Sequence, residues 1–271
     1  PIDEIGRNEI VHAVTRAALL GARGNSGVIL SQIVRGLAEE LASRPGQRID
    51  PAWMARALGR ASDAASESVR EPQEGTMLTV IREIAHRVSH MVAHAETRFD
   101  DSFDDAAQDR ALAEFVRGAV SVGEVAVDRG PELLPLLKEN GVVDSGGYGM
   151  VVIMSGILAA LSGDGSAAEQ VRHHTAPRAA VPDHHTSDLY RYCTNFAVMG
   201  TELEANRFRG DLEHLGGSVL VVGDDTTLRI HVHTDEPKRA MAIFEAAKTA
   251  LDPDGILNPG KMGLAHRGPR P

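Results

Sequence analysis

Four short groups of residues have the types and spacing to do chemistry. Gly21-Ala-Arg-Gly-Asn-Ser-Gly27 places three glycines in seven residues, which lets a backbone turn tightly and approach a ligand closely. Asn25 and Ser26 fall where a helix N-cap belongs. Helix N-termini carry unpaired N–H donors and partial positive charge, which suit a phosphate. The same residues fit a packing joint between two helices, and taken alone they favour that simpler reading. Gly75-Thr76-Met77 and Asp144-Ser145-Gly146-Gly147 each precede an apolar helix and offer small or hydroxyl residues at its start. Three such N-termini around one polyphosphate would make an all-α nucleotide site.

The fourth group is metal-like. In a predicted strand over Thr227 to His233, Leu228, Ile230 and Val232 take one face while Arg229, His231 and His233 take the other. Two histidines at i and i+2 of a strand point the same way and can chelate one ion. Cys193, the single cysteine, lies in a neighbouring predicted strand and could add a thiolate. Cys with two His is a zinc set, leaving a fourth position for water or another ligand. Two solvent-facing histidines and a buried thiol fit the spacing as well. His173-His174 and His184-His185 fall in a stretch without periodicity and read as solvated linker histidines.

The elements that must position these groups follow from hydrophobic period. Residues 8–162 read as helices almost throughout. Leu30, Ile33, Val34, Leu37 and Leu41 keep helical spacing after the glycine loop, up to a break at Pro45-Gly46. Asp50-Pro51 is an N-cap and first-turn pair for a helix to about Val69, ended by Glu71-Pro72. A helix from about Thr76 carries Leu78, Ile81, Ala85, Val88 and Val92 on one face. The acidic run Asp100–Asp105 reads as a solvated loop and helix start, and Leu112, Phe115, Val116, Ala119 and Val120 mark the next helix. Tyr148 to Leu161 is apolar nearly all round, as expected of a helix at the centre of a bundle. From Leu189 the period switches toward two: a strand over Tyr190–Val198, a helix over Glu202–His214, a hairpin of Ser218–Val222 with Thr227–His233, and a last helix from Pro237. The fold class read from the period is therefore an all-α helical bundle followed by a small α+β domain.

Bulk composition narrows the function classes. The 271 residues suit one large or two ordinary domains. The formal net charge of −10 argues against non-specific nucleic-acid binding, which needs basic surface, but leaves a nucleotide ligand open. One cysteine excludes an internal disulfide framework and fits a reducing cytoplasm. No signal peptide is visible, and no apolar run is expected to reach the ~18–20 residues of a membrane span.

Gly21–Gln32, Glu74-Gly-Thr-Met-Leu-Thr79 and Leu137–Gly147 resemble the nucleotide-binding L-type domain of dihydroxyacetone kinases, most closely the form found in the nucleotide-binding component of bacterial fatty acid kinase. The resemblance continues through Tyr192-Cys-Thr-Asn-Phe196, Ser218–Asp225 and His231–Pro237, and covers residues 1 to about 245. It implies an ATP-binding antiparallel helical barrel over 1–163, incomplete at its N-terminus, a linker over 164–187, an α+β middle domain over 188–250 and a tail over 251–271. It implies that Asn25, Ser26 and Gly27 contact phosphates, that Thr76 and Met77 line the nucleotide pocket, and that Asp144, Ser145 and Gly146 close over it. The implied reaction moves the ATP γ-phosphate to dihydroxyacetone (the glycerone kinase branch) or to a fatty acid carboxylate on a binding carrier. It also implies zinc at Cys193, His231 and His233. A non-catalytic nucleotide-binding module is the alternative, and a homodimer is left open.

The sequence departs from the family in two places. The family's magnesium ligands are aspartates in a Pro-Asp-Gly-Asp-Thr-Gly-Thr-Asn type motif ahead of the glycine loop, and no such motif precedes Gly21. No residue is assigned to magnesium, and the chain as written is expected to be a fragment with absent or crippled catalysis. Asp252-Pro-Asp254-Gly255 looks similar but lies at the wrong end. Ala250–Met262 resembles the C-terminal end of FAD-linked oxidases of the glycolate oxidase type, without a flavin domain before it, so no flavin is inferred. The family's further domain, which engages the carrier, is expected to be absent, and Gly268–Pro271 to be disordered.

Overall fold

The structure is a computed structural model that describes residues 6–44, 48–95, 104–163, 190–240 and 242. Among these residues it has seven helices and then a small sheet with one helix: α1 (Arg7–Gly21), α2 (Gly24–Ala42), α3 (Pro51–Glu67), α4 (Met77–Ala93), α5 (Asp105–Leu133), α6 (Pro135–Asn140), α7 (Ser145–Ser162), β1 (Tyr192–Met199), α8 (Ala205–Glu213), β2 (Gly217–Gly223) and β3 (Thr227–Thr234). Residues 237–240 begin a further helix. Helices first and a small α+β region second is the predicted fold class. The chain divides into two compact units, one of residues 1–16 with 32–180, the other of residues 17–31 with 181–271. The predicted break at Pro45-Gly46, the whole linker with both His pairs, most of the acidic run and the tail lie outside the described residues.

In the helical unit, local signals start the elements where side chains can satisfy orphan amides. Asp50 accepts from Trp53 N at 2.6 Å, Thr76 from Leu78 N at 3.4 Å, Asp104 from Ala107 N at 2.6 Å and Asp144 from Gly147 N at 2.7 Å. Each such cap contributes about 1 kcal/mol. α4 sits among α3, α5 and α7 and buries Leu78, Ile81, Ala85 and Val88 on the predicted face. Trp53 is buried, donates from Nε1 to Glu40 O at 2.9 Å, and lies under the guanidinium groups of Arg7 and Arg44.

Gly36 of α2 is a point of contact between backbones. A Cβ there would stand 2.5 Å from Arg60 O and 2.8 Å from Ala61 Cα of α3. In an ordinary helix, Gly→Ala gains up to ~1 kcal/mol. Here the added methyl meets backbone that cannot rotate away, so overpacking at about 1–3 kcal/mol reverses the sign. Urea unfolding of Gly36→Ala is expected to show a net loss of stability, and a gain would contradict this packing.

Three expectations need correction. The helix opening at Gly24 places Asn25 and Ser26 inside its first turn, not at the N-cap; Gly24 itself turns the chain with φ of +64°. α7 is not surrounded: Met150, Val151, Met154 and Leu158 are buried, whereas Val152, Ile153 and Ile157 are exposed. α7 packs chiefly on α5 and α4, so its all-round apolar character leaves one greasy face outward. Ser145–Ser162 is also long and apolar enough, by length and composition, to cross a membrane, contrary to the expectation that no run is.

The second unit is built on an antiparallel sheet of order β1-β3-β2, with the predicted β2–β3 hairpin. Leu228, Ile230 and Val232 of the central strand pack with Val221, Leu203, Phe208 and Leu212, the last two from α8. The other face of β3 therefore carries Arg229, His231 and His233. In the β1–β3 register, Cys193 stands opposite His233, Asn195 opposite His231 and Ala197 opposite Arg229.

Candidate functional site

Two helix starts meet in the helical unit. The Asp144 carboxylate accepts from the backbone amides of both Gly147 and Met77, so one side chain ties the start of α7 to the start of α4. Gly146 closes the same contact, since a Cβ there would be 3.0 Å from Met77 Sδ. Met77 is buried, Thr76, Asp144 and Gly146 are partly exposed, and Ser145 is exposed. Desolvation pushes the Asp144 carboxyl above its ordinary range, and the two amide hydrogen bonds pull the other way. The predicted residues Thr76, Met77, Asp144, Ser145 and Gly146 are thus brought together. Asn25, Ser26 and Gly27 belong to the other unit, where the first two are exposed on the first turn of α2.

Glu74, just before this junction, is a residue that the sequence does not single out as functional. Its carboxylate accepts from both guanidinium nitrogens of Arg82, at 2.8 and 2.6 Å, and from Thr79 Oγ1 at 2.7 Å; Thr79 Oγ1 in turn accepts from Gly75 N at 2.9 Å. The network fixes the left-handed Gly75 turn that precedes α4. These bonds, Arg82 first and Thr79 second, hold Glu74 at about 2 against an ordinary 4.5. Between those values the unfolded chain binds the proton that the folded chain refuses. The contribution of Glu74 to stability is therefore present above pH 4.5 and is lost as pH falls toward 2. The stability difference between wild type and Glu74→Gln is expected to narrow across that window; a difference independent of pH would contradict it.

In the α+β unit the predicted metal residues converge. The ligand atoms of Cys193, His231 and His233 lie within 4.8 Å of one another. Cys193 Sγ is 3.7 Å from His231 Nδ1. Zinc–sulfur and zinc–nitrogen bonds of about 2.3 and 2.0–2.1 Å at a tetrahedral angle require ~3.6 Å between those atoms, so the donor set fits the ion. His231 is buried, His233 partly exposed and Cys193 exposed. The expectation of a buried thiol is thus reversed, and the site opens on its sulfur side.

Two neighbours of the cluster are absent from the sequence-based site. Asn195 reaches Cys193 Sγ through Nδ2 at 3.2 Å and His231 Nδ1 through Oδ1 at 2.8 Å. Its position two residues after Cys193 on the same strand face is the signal that could have found it. Arg229 is buried and donates from Nη2 to Ala22 O in the glycine loop. Desolvation, and then the nearby charge of Arg23, press its pKa below the ordinary arginine range. Two guanidinium groups beside a helix N-terminus give this part of the loop a positive field, although the chain as a whole is acidic.

A helical unit in which one carboxylate ties two helix starts, followed by an α+β unit with a Cys/His/His cluster, is a two-part arrangement, and comparison with known families also divides the chain in two. Residues 4–111 match the DAK2 domain, and residues 189–250 match the FakA-like middle domain of fatty acid kinases. The chain thus carries two domains of the dihydroxyacetone/fatty acid kinase family in succession. Protein YloV of Bacillus subtilis is 34% identical over 250 residues, which is 87% of this chain and 41% of that protein. An uncharacterized protein of Staphylococcus saprophyticus is 32% identical over 241 residues, 84% of this chain and 40% of the relative. The chain thus spans about two fifths of the length of these curated relatives.

Proposed function

We propose that this chain binds ATP and serves a phosphotransferase that converts a carrier-bound fatty acid to its acyl phosphate. The observation that carries this reading is the pairing, in one chain, of the DAK2 match with a middle-domain match that contains the Cys193, His231 and His233 cluster. Phosphoryl transfer asks a protein mainly for positioning and charge neutralisation. Asn25, Ser26 and Gly27, on the first turn of α2, are the residues proposed for the phosphates. Thr76, Met77, Asp144, Ser145 and Gly146 are proposed for the remainder of the nucleotide. In the reaction a carboxylate oxygen bonds to the γ-phosphorus while the bond from that phosphorus to the ADP oxygen breaks, and ADP leaves.

Cys193, His231 and His233 would hold zinc, which when bound supplies a Lewis acid to an oxygen at its open position. Among residues 1–21 nothing matches the family's magnesium ligands, and no step is assigned to that ion. A fatty-acid-binding carrier is the proposed partner, and an exposed free cysteine supports a reducing, cytoplasmic setting.

Incubation of the chain with γ-labelled ATP, magnesium and either a fatty-acid-loaded carrier or dihydroxyacetone tests the proposal. Saturable ATP binding with at most weak label in acyl phosphate is the expected result, because no residue of the chain is assigned to magnesium. Label in dihydroxyacetone would support the glycerone kinase reading instead, nucleotide binding with no transfer to either acceptor would support a non-catalytic module, and no nucleotide binding would contradict the proposal.

A further inference from the structure

We infer that Asn195 is a positioning residue that couples occupancy of the Cys/His cluster to the glycine loop. Its carboxamide holds three groups at once: Cys193 Sγ at 3.2 Å, His231 Nδ1 at 2.8 Å and the Gly24 N–H at 3.2 Å. Gly24 N–H can only donate, which fixes Oδ1 as the end facing both Gly24 and His231, and Nδ2 as the end facing sulfur. His231 must then donate its Nδ1–H to Oδ1, so the oxygen is shared between a metal ligand and the first amide of α2. All of these residues lie in one compact unit.

The sharing has a consequence. The 3.7 Å spacing of Sγ and Nδ1 presents Nδ1 as the nitrogen that faces zinc together with the thiolate. A nitrogen that gives its lone pair to an ion carries no proton to donate. The ring nitrogen has one in-plane lobe, so an ion on it takes the place that Oδ1 now faces, and loading the cluster displaces the carboxamide from His231 and from Gly24. The Gly24 hydrogen bond is lost, and the turn that opens the glycine loop is released. Coupling between two sites is reciprocal, so an anion that takes the Gly24 amide favours zinc binding by the same factor.

This inference rests on the proposal that the cluster holds zinc, and two separate readouts keep the two apart. Zinc stoichiometry and affinity of the full chain are measured by competition with a chromophoric chelator. Hydrogen exchange at the Gly24 amide is measured with and without zinc, in wild type, Asn195→Ala and Asn195→Asp. In wild type, zinc is expected to speed Gly24 exchange about three- to tenfold, the net worth of one hydrogen bond. Asn195→Ala is expected to keep the zinc site, with fast Gly24 exchange that zinc no longer alters. Asn195→Asp keeps an acceptor oxygen for Gly24 N–H while losing the donor to Cys193 Sγ, and should restore the response. Bound zinc without any change at Gly24 in wild type, or an equal response in Asn195→Ala, would overturn the coupling while leaving the metal site standing. A folded wild type that takes no zinc would overturn both.

Discussion

Cys193→Ala is expected to lower zinc affinity by more than about 100-fold, because loss of even an outer-shell partner costs 10–100-fold and this substitution removes a ligand. The thiolate is the one anionic member of the cluster, and it sits at tetrahedral spacing from His231. His231 and His233 remain, but two neutral imidazoles without the sulfur bind zinc as an ordinary surface pair would. Cys193 is exposed and β1 is an edge strand of the sheet, so truncation leaves no buried cavity. The variant should fold, keep its circular dichroism spectrum and elute metal-free. A variant that retains one zinc per chain would remove Cys193 from the site.

Ser26→Glu is expected to weaken ATP binding at least tenfold without loss of stability. The two effects separate because they have opposite electrostatic signs. A carboxylate in the first turn of α2 interacts favourably with the helix dipole, by about 0.3–1 kcal/mol. The same carboxylate repels a phosphate brought to those amides, and like charges ~4 Å apart at an effective dielectric of 20 cost about 4 kcal/mol before relaxation. Ser26 is exposed, so no packing is disturbed. Calorimetric titration with ATP reads the first effect and thermal unfolding the second. Unchanged ATP affinity would exclude this turn from the phosphate site.

The parts of the fold that are legible in the sequence are those where one local rule decides. Asp50, Thr76, Asp104 and Asp144 start their helices with the capping bonds their positions suggest. The alternation along β3 sorts Leu228, Ile230 and Val232 into the core and His231 and His233 onto the other face. α7 is harder for a physical reason: a helix without a polar stripe carries no mark of which side faces the bundle. α6 is six residues long, too short for a period. Its signals are Pro135 at the first turn and Gly141, whose φ of +63° lets it cap the C-terminus.

The candidate site is legible as residue types but not as neighbours. Cys193 and the two histidines can be grouped by strand period and family resemblance. That Asn195 stands opposite His231, and that the same carboxamide reaches Gly24 in a segment 171 residues away, depends on strand register and tertiary packing. No local pattern encodes either. The start of α2 shows the same limit: the sequence puts the N-cap at Asn25 and Ser26, whereas the helix opens at the left-handed Gly24.

Equilibrium titration of the intact chain with ATP, in the presence of magnesium and zinc, tests the central claim most directly. The account predicts saturable binding of one ATP per chain that is weakened at least about tenfold in Ser26→Glu, a loss of ~1.4 kcal/mol or more. A folded, zinc-loaded chain that shows no ATP binding at millimolar nucleotide would contradict it.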